Sequence, residues 1–408
     1  MTLIECFDIS VAKNIAGCLH LRPEKVIFLG QDPQMSAQVE RYRRFFSEKG
    51  ISAKVECRFT DTVCVDGVAA VLEDILGRET GECVIDVTGG DERTLIAVGM
   101  VLAGLDETRR QEVKLQKFDA ATGGVQDCYG NAPLSSGYPI NLSVKELIAL
   151  GGGILHPASY QPETCYTPRD LAPLWRIVSR GPKSWNHRIS ALSVFESRAD
   201  SRTQVFLPLN QIRGSLSNFE ARLELTRDLL DQFRENGIIH DQSRPEYFEY
   251  SYTTPLNRYC TLREGNALEV KVLLEARALE ENGKPFFSDC KMGVHIDWDG
   301  IVHGNKSPIS DTRNEIDVLV TRGLTPLFIS CKNGDVDEEE LYKLQTVATR
   351  FGGRGARKML IATHLEKQKP SSTRAFIQRA KDMGICIVPN AAALTKAQWQ
   401  EIFREAMA

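Results

Sequence analysis

The chain has 408 residues, 42% of them hydrophobic and 25% charged, with a formal net charge of -4 at pH 7. That is apolar material for two or three soluble domains, and the weak net charge excludes a chain drawn to polyanions by global attraction, so nucleic-acid contact must come from local basic patches. Eleven cysteines without a C-x-x-C pair argue against a disulfide framework or structural zinc, and "LIAVGMVLAGL" (95–105) is the longest apolar run and too short to span a bilayer. With Glu5 and Asp8 interrupting any signal peptide, the chain reads as a cytoplasmic protein with no membrane partner.

Residues 1–141 alternate strand and helix signals. "KVIFLG" (25–30), "SAKVECRF" (52–59) and "GECVIDVTGG" (81–90) read as strands, and the amphipathic runs 36–50, 65–77 and 92–105 as helices between them. Strands separated by helices of this length predict a parallel sheet with right-handed crossovers, a Rossmann-like domain. "DVTGGDERT" (86–94) ends a buried strand in Thr88-Gly89-Gly90 and opens a helix, so its amides form a candidate anion site, although a Gly-Gly is more often only a turn. No G-x-G-x-x-G occurs, which speaks against an ordinary dinucleotide site.

Residues 142–258 follow another pattern. "LSVKELIALGGG" closes in three glycines, "PLWRIVSRGPKSWNHRISAL" reads as basic and irregular, 218–241 as one long amphipathic helix, and "RPEYFEYSYTT" as an edge strand. The order helix, glycine, hairpin predicts a linker or a winged-helix-like segment.

Residues 259–408 read as a second α/β unit, with a helix over 266–283 and strands at 289–298, 301–304, 314–322 and 326–332. A helix at 337–350, a strand at 357–363, a helix near 371–383 and a strand at 384–389 complete it. Gly323-Leu324 suits a type II′ hairpin turn, which sets Asp317 opposite Ser330 and Glu315 opposite Lys332. By strand alternation those four share one face, and Ile316, Val318, Ile329 and Cys331 take the other. A cross-strand Glu315–Lys332 ion pair would explain the charges. So would a nucleic-acid hydrolase, in which carboxylates hold a divalent cation and a lysine orients water or steadies the charge on phosphorus. "HIDWD" (295–299) is a rival metal motif, since His295, Asp297 and Asp299 alternate onto one face, but the following Gly300 also explains Asp299 as turn chemistry. "TRFGGRGARK" places Arg350, Arg354, Arg357 and Lys358 in a glycine-rich loop, either a solvated surface or a phosphate-binding element.

"NEID…FISCKNG" resembles the PD-(D/E)xK nuclease core. The resemblance implies a C-terminal restriction-endonuclease-like domain with Asp317 as first acid and Lys332 as the lysine. It further implies Glu269 as a helical acid (Glu275 borders the same stripe), Gln345 as a supporting glutamine, and the Cys331 carbonyl as a further ligand for Mn²⁺ or Mg²⁺. The sequence departs from the motif at Ser330, where an acid is expected: either Glu315 or Glu269 replaces it, the favoured reading, or metal binding is weak, or catalysis is lost. "DVTGG" resembles the ligand loop of CARF domains, the cyclic-oligoadenylate sensors of type III CRISPR defence. That likeness implies Asn14, Gln31, Thr88, Gly89, Gly90 and Arg93 as ligand-binding positions, although Asp91-Glu92 stand where many such loops continue Thr-Lys.

Together these resemblances imply a homodimeric, metal-dependent nuclease activated by a cyclic oligoadenylate, with cyclic tetra-adenylate the leading candidate, that cleaves DNA or RNA. Two alternatives stand beside it. One is a non-catalytic sensor or transcriptional regulator that binds DNA through the middle segment, and the other a restriction or repair nuclease without small-molecule control.

Overall fold

The computed structural model describes residues 1–31, 34–60, 64–119, 124–128, 138–156, 161–199, 201, 204–301, 313–334, 336–365 and 370–408, excepting the side chains of Gln34, Arg313, Arg354, Pro370 and Ser371. The N-terminal part runs β1 (Thr2–Cys6), α1 (Val11–Leu21), β2 (Lys25–Gly30), α2 (Gln34–Glu48), β3 (Lys54–Phe59), α3 (Val65–Arg78), β4 (Cys83–Asp86), α4 (Glu92–Gly104), α5 (Glu107–Glu112), β5 (Val113–Asp119) and β6 (Gly124–Asp127). Its sheet has the order β3-β2-β1-β4-β5-β6, parallel except for β6. The predicted Rossmann-like domain is therefore present, and chain direction across the sheet reverses between β1 and β4.

The next segment contains α6 (Val144–Leu150), β7 (Ile154–His156), α7 (Pro168–Arg180), α8 (Pro182–Glu196), β8 (Gln204–Pro208), α9 (Leu209–Ile212), α10 (Phe219–Glu235), β9 (Ile239–Asp241), β10 (Tyr247–Tyr252) and α11 (Pro255–Cys260). From α8 onward, helix, strand, two helices and a hairpin follow winged-helix order. The stretch read as irregular forms two helices instead, each opened by a proline at its first turn and parted at Gly181. β10, read as an edge strand, is the centre of the sheet β8-β10-β9. Its flank β8 is a short strand with one exposed face, and nothing in its pattern marked it.

The last segment runs α12 (Asn266–Arg277), β11 (Glu280–Glu281), β12 (Lys284–Pro285), β13 (Asp289–Asp297), β14 (Arg313–Arg322), β15 (Thr325–Lys332), α13 (Glu338–Gly352), β16 (Arg357–Ala362), α14 (Pro370–Asp382), β17 (Ile385–Val388) and α15 (Lys396–Met407). The helix expected to reach 283 stops at Arg277, because Asn282 (φ 51) and Gly283 (φ 72) turn the β11–β12 hairpin. The strand expected at 301–304 lies largely outside the described residues. A mixed sheet of order β17-β16-β15-β14-β13-β7 carries this part, with β7 recruited from the segment before it.

Three apolar cores separate the layers. One lies between the outer face of the N-terminal sheet and α3–α4. A second joins the inner face of that sheet (Leu3, Val26, Phe28) to one face of the C-terminal sheet (Leu319, Phe328, Leu360), with α6 and α13 between them. The third packs the other face of the C-terminal sheet (Val318, Ile329, Ile361) against α12 and the helices of the middle segment. Lys49, just past α2, pairs with Glu146 of α6 at 2.7 Å across the middle layer. No helix among the described residues is long and apolar enough to cross a membrane.

The N-terminal core encloses an unusual polar group. Glu5 is fully buried and neither carboxyl oxygen has a hydrogen-bond partner among the described residues. Burial first, and the charge of Asp86 second, raise its pKa well above the ordinary 4.5, and burial raises that of Asp86 too. A group whose folded pKa is raised contributes stability that is complete below its unfolded pKa and is lost as pH climbs through the folded one. Melting temperature is therefore expected to fall as pH rises above the ordinary carboxyl value of 4.5. Glu5→Gln, which keeps the shape without the titration, should flatten that fall in calorimetric scans. A slope identical in the variant would remove Glu5 from the explanation.

Candidate active site at a strand fork

The β14–β15 ladder runs from Arg322↔Thr325 to Val318↔Ile329, the predicted register, and then stops. Past that point β14 stays paired with β13 as far as Asp297↔Arg313, while β15 follows β16 as far as Lys332↔Ala362. The two strands fork. Asp317 occupies the crotch, where its Oδ2 accepts the Cys331 amide at 2.6 Å and the Ser330 hydroxyl at 3.2 Å. One carboxylate thus satisfies a backbone donor that the ladder no longer reaches.

The predicted strand faces need correction here. Val318 joins the same core as Ile329 and Cys331, but Ile316 joins the opposite one with Leu319 and Phe328. On the neighbouring strand Met292 and Val294 divide in the same way, on either side of Gly293 with φ 55. Strict alternation is broken at this level, which lets Asp317 enter the fork. Nor does the Glu315–Lys332 pair form, because the strands have diverged. Lys332 Nζ instead meets Glu340 Oε2 of α13 at 2.7 Å, and exposed Glu315 faces His295 at 3.9 Å.

A cleft of about 250 Å³ opens on the α13 side, lined among others by Glu315, Asp317, Ser330, Lys332, Glu340 and Lys343. Glu269 approaches the fork from α12, on the other face of the sheet. Burial, then the charges of Asp317 and Glu315, push its carboxyl up to about 8. Burial also raises Asp317, partly offset by the Cys331 amide and Lys332. For Lys332, burial pulls its pKa down, but Glu340 and Asp317 outweigh it and hold the ammonium above its ordinary value. Among the described residues no three His, Cys, Asp or Glu side chains form a ready-made cation site. Still, Glu269 and Asp317, whose proton affinity neighbouring carboxylates raise, are the donor chemistry a divalent cation relieves.

Other predicted residues sit elsewhere. Glu275 is buried in an ion pair with Lys271 at 2.6 Å. Gln345 turns from the cleft, donating to Thr349 Oγ1 and accepting from Lys358, which also donates to the Met383 carbonyl. Arg357 donates to the Ala408 carbonyl. Arg350 lies about 15 Å along α13 from Glu340, at the end remote from the cleft. The side chain of Arg354 is outside the described residues. Asp297 and Asp299 accept amides of the following turn, from Asp299 and Ile301 respectively, as turn chemistry requires.

Sequence reasoning missed Glu340, Lys343 and Asn333. The glutamates of "DEEE" read only as a helix start, and a strand-terminal asparagine has no signature of its own. Asn333 is a hub: it donates to Asn186 Oδ1 (2.7 Å) and to the Glu264 carbonyl (3.0 Å), and it accepts from Thr363 and Asn186. It ties α8 to the end of the strand that bears Lys332.

The N-terminal candidates gather at the carboxyl ends of β1, β2 and β4, where strand order reverses and where α/β sheets open a crevice for ligands. Asn14 is buried and fastens the β1–α1 loop, accepting the Asp8 amide (2.8 Å) and donating to the Asp8 carbonyl (2.6 Å). Gln31 is exposed at the end of β2. Thr88 Oγ1 accepts the Phe118 amide at 2.7 Å, and a side chain at Gly89 would run into the Cys6 carbonyl. Gly90 takes φ 86. Arg93 pairs with Asp91 at 3.1 Å, and Asp91 also caps α4 through the Thr94 amide, so this acid is turned into the helix start.

No protein-family model matches the sequence, and no curated protein does either. Among solved structures, Can2 from Sulfobacillus thermosulfidooxidans, in complex with cyclic tetra-adenylate, superposes with a TM-score of 0.65 at 15% identity, covering 100% of this chain and 99% of that one. The chain has the Can2 fold. Protein VC1899 from Vibrio cholerae matches as well, with a TM-score of 0.70 at 14% identity over 100% of this chain and 97% of that chain. The likeness runs from end to end, through the N-terminal, mostly parallel sheet, the helical middle and the C-terminal mixed sheet.

Asn333→Ala would leave Asn186 Oδ1 and the Thr363 hydroxyl without their Asn333 partner and take from the Glu264 carbonyl one of its two donors, the other being the Trp185 indole. It is expected to cost on the order of 2–3 kcal/mol of unfolding free energy in urea titrations. A loss below about 0.5 kcal/mol would mean that α8 is held by its apolar contacts alone.

Proposed function

We propose that the chain is a metal-dependent nuclease of type III CRISPR defence, cytoplasmic and homodimeric, switched on by a cyclic oligoadenylate, with cyclic tetra-adenylate the leading candidate. The observation that carries this reading is the fork, which sets Asp317 and Lys332 at the mouth of one cleft in a chain of Can2 fold. The loop at the N-terminal switch point supports a sensor role, with Gly89 and Gly90 offering amides to an anionic ring while Thr88 is held by its amide on Asp86 and its hydroxyl on the Phe118 amide.

Asp317, Glu269 and Glu315 would hold the cation, which supplies Lewis acidity toward a phosphoryl oxygen and lowers the pKa of a water. Lys332, kept charged by Glu340, orients the attacking water or steadies charge on phosphorus. Ser330 holds Asp317 by donating to it, while Glu269 and Glu315 supply the carboxylate that Ser330 does not. The substrate is a phosphodiester of DNA or RNA. Ser330 is also the best support for a DNA-binding regulator. Against that, α10, the helix such a module would lay on a duplex, carries five acids and three arginines.

Two outcomes are expected. With Mn²⁺ and cyclic tetra-adenylate the protein should cut plasmid, single-stranded DNA or RNA, and Asp317→Ala or Lys332→Ala should lower the rate at least about a hundredfold. Ring binding with none of the three cut would favour the regulator. Independently of turnover, Glu269 must lose its proton to bind a cation. Mn²⁺ affinity by calorimetry should therefore rise with pH, approaching tenfold per unit below about 8, and flatten in Glu269→Gln. A pH-independent affinity in the unsubstituted protein would take Glu269 out of the ligand set.

A further inference from the structure

The three glycines after α6 and the glycine-rich basic loop after α13 meet at the seam between the two sheets. A methyl group placed on Gly152, whose φ is 87, would lie 3.1 Å from Arg41 Nη1 and 3.8 Å from Arg350 Nη2. The first arginine belongs to α2 of the N-terminal domain and the second to α13 of the C-terminal one. Their guanidinium groups thus approach well within the ~8 Å Debye length of physiological salt. Among the described residues neither forms an ion pair, and Arg41 Nε is buried without a hydrogen-bond partner. Among the described residues Arg350 makes only a ring contact, with Phe351 at 5.9 Å. Two like charges brought together from different domains, over a glycine that leaves them room, find no counter-charge among the described residues.

The seam also touches the candidate ligand loop. Gly353, three residues after Arg350, comes so close to Ser10 of the β1–α1 loop that a methyl group on it would lie 3.5 Å from Ser10 Oγ. We propose that Arg41 and Arg350 form a phosphodiester-binding subsite bridging the two domains. Planar guanidinium forks match phosphate oxygens, and an anion between them cancels the repulsion while joining α2 to α13. The other end of α13 carries Glu340, the partner of Lys332, so the bound phosphate and the cleft share one rigid helix. The phosphate can come from a cyclic oligoadenylate or from the backbone of a nucleic acid. Arg350, one of the four basic residues read from the sequence as a phosphate-binding element, thus lies at the seam, on the last turn of α13. This subsite does not rest on cleavage.

The test is binding in EDTA, where no metal-dependent cleavage intervenes. Calorimetry with cyclic tetra-adenylate and anisotropy with a labelled 20-base-pair duplex would be run on the unsubstituted protein, Arg41→Ala, Arg350→Ala and Arg350→Gln. Each substitution should weaken one ligand about tenfold and reduce its salt slope by about one, with melting temperature unchanged or higher. Loss confined to the ring identifies the activator as the source of the phosphate, and loss confined to the duplex identifies a nucleic-acid backbone. Equal affinities in all variants, no binding of either probe by the unsubstituted protein, or weakening matched by a lower melting temperature would each overturn the subsite. Ring-dependent cleavage that persisted in such a case would leave the nuclease reading intact.

Discussion

The hydrogen bond from the Cys331 amide to Asp317 is the constraint on which the C-terminal site depends. A β ladder that simply ended would leave a half-buried donor facing apolar neighbours, at a cost of about 1–3 kcal/mol. Asp317 prevents that and is drawn out of ordinary strand alternation in doing so. The same carboxylate then sits where Lys332 and Glu269 act on its charge from opposite faces of the sheet. Structure and chemistry at the fork are one arrangement, which is why the local break in pleat at Gly293 is tolerated.

Around that fork the molecule is organised by shared helices. α12 brings Glu269 from one side, α13 brings Glu340 from the other, and α8 is clamped to the strand end through Asn333. α13 also reaches the N-terminal domain at its far end, where Gly353 meets Ser10. The helix that brings Glu340 to Lys332 is therefore also the helix whose far end faces the candidate ligand loop.

Much of this was legible in the residues. Continuous apolar runs parted by amphipathic helices announced the parallel sheet, and Gly323-Leu324 fixed the hairpin register down to Val318↔Ile329. What the register could not show is where pairing stops, since that is decided by the outer neighbours β13 and β16 and not by the hairpin itself. Charge partners failed for the same reason: Lys332 found Glu340, eight residues along the chain on a helix whose acids also suit an ordinary first turn. The middle helices were hidden by prolines, which mark first turns as readily as breaks. Glu269 and Glu275 share one helix, and only the tertiary fold separates them, one beside the fork and the other neutralised by Lys271.

The core that lies between the two sheets has a consequence for how this chain can be taken apart. Phe28 of the first sheet and Phe328 of the last belong to one apolar layer, with α6 as the keystone between them. A cut after residue 141 would leave the parallel sheet with a bare inner face and the mixed sheet without part of its cover. At roughly 25 cal/mol for each Å² of apolar surface returned to water, neither fragment keeps the stability it has in the whole. The two α/β parts here are not beads on a string, and melting should pass through both sheets in one cooperative transition.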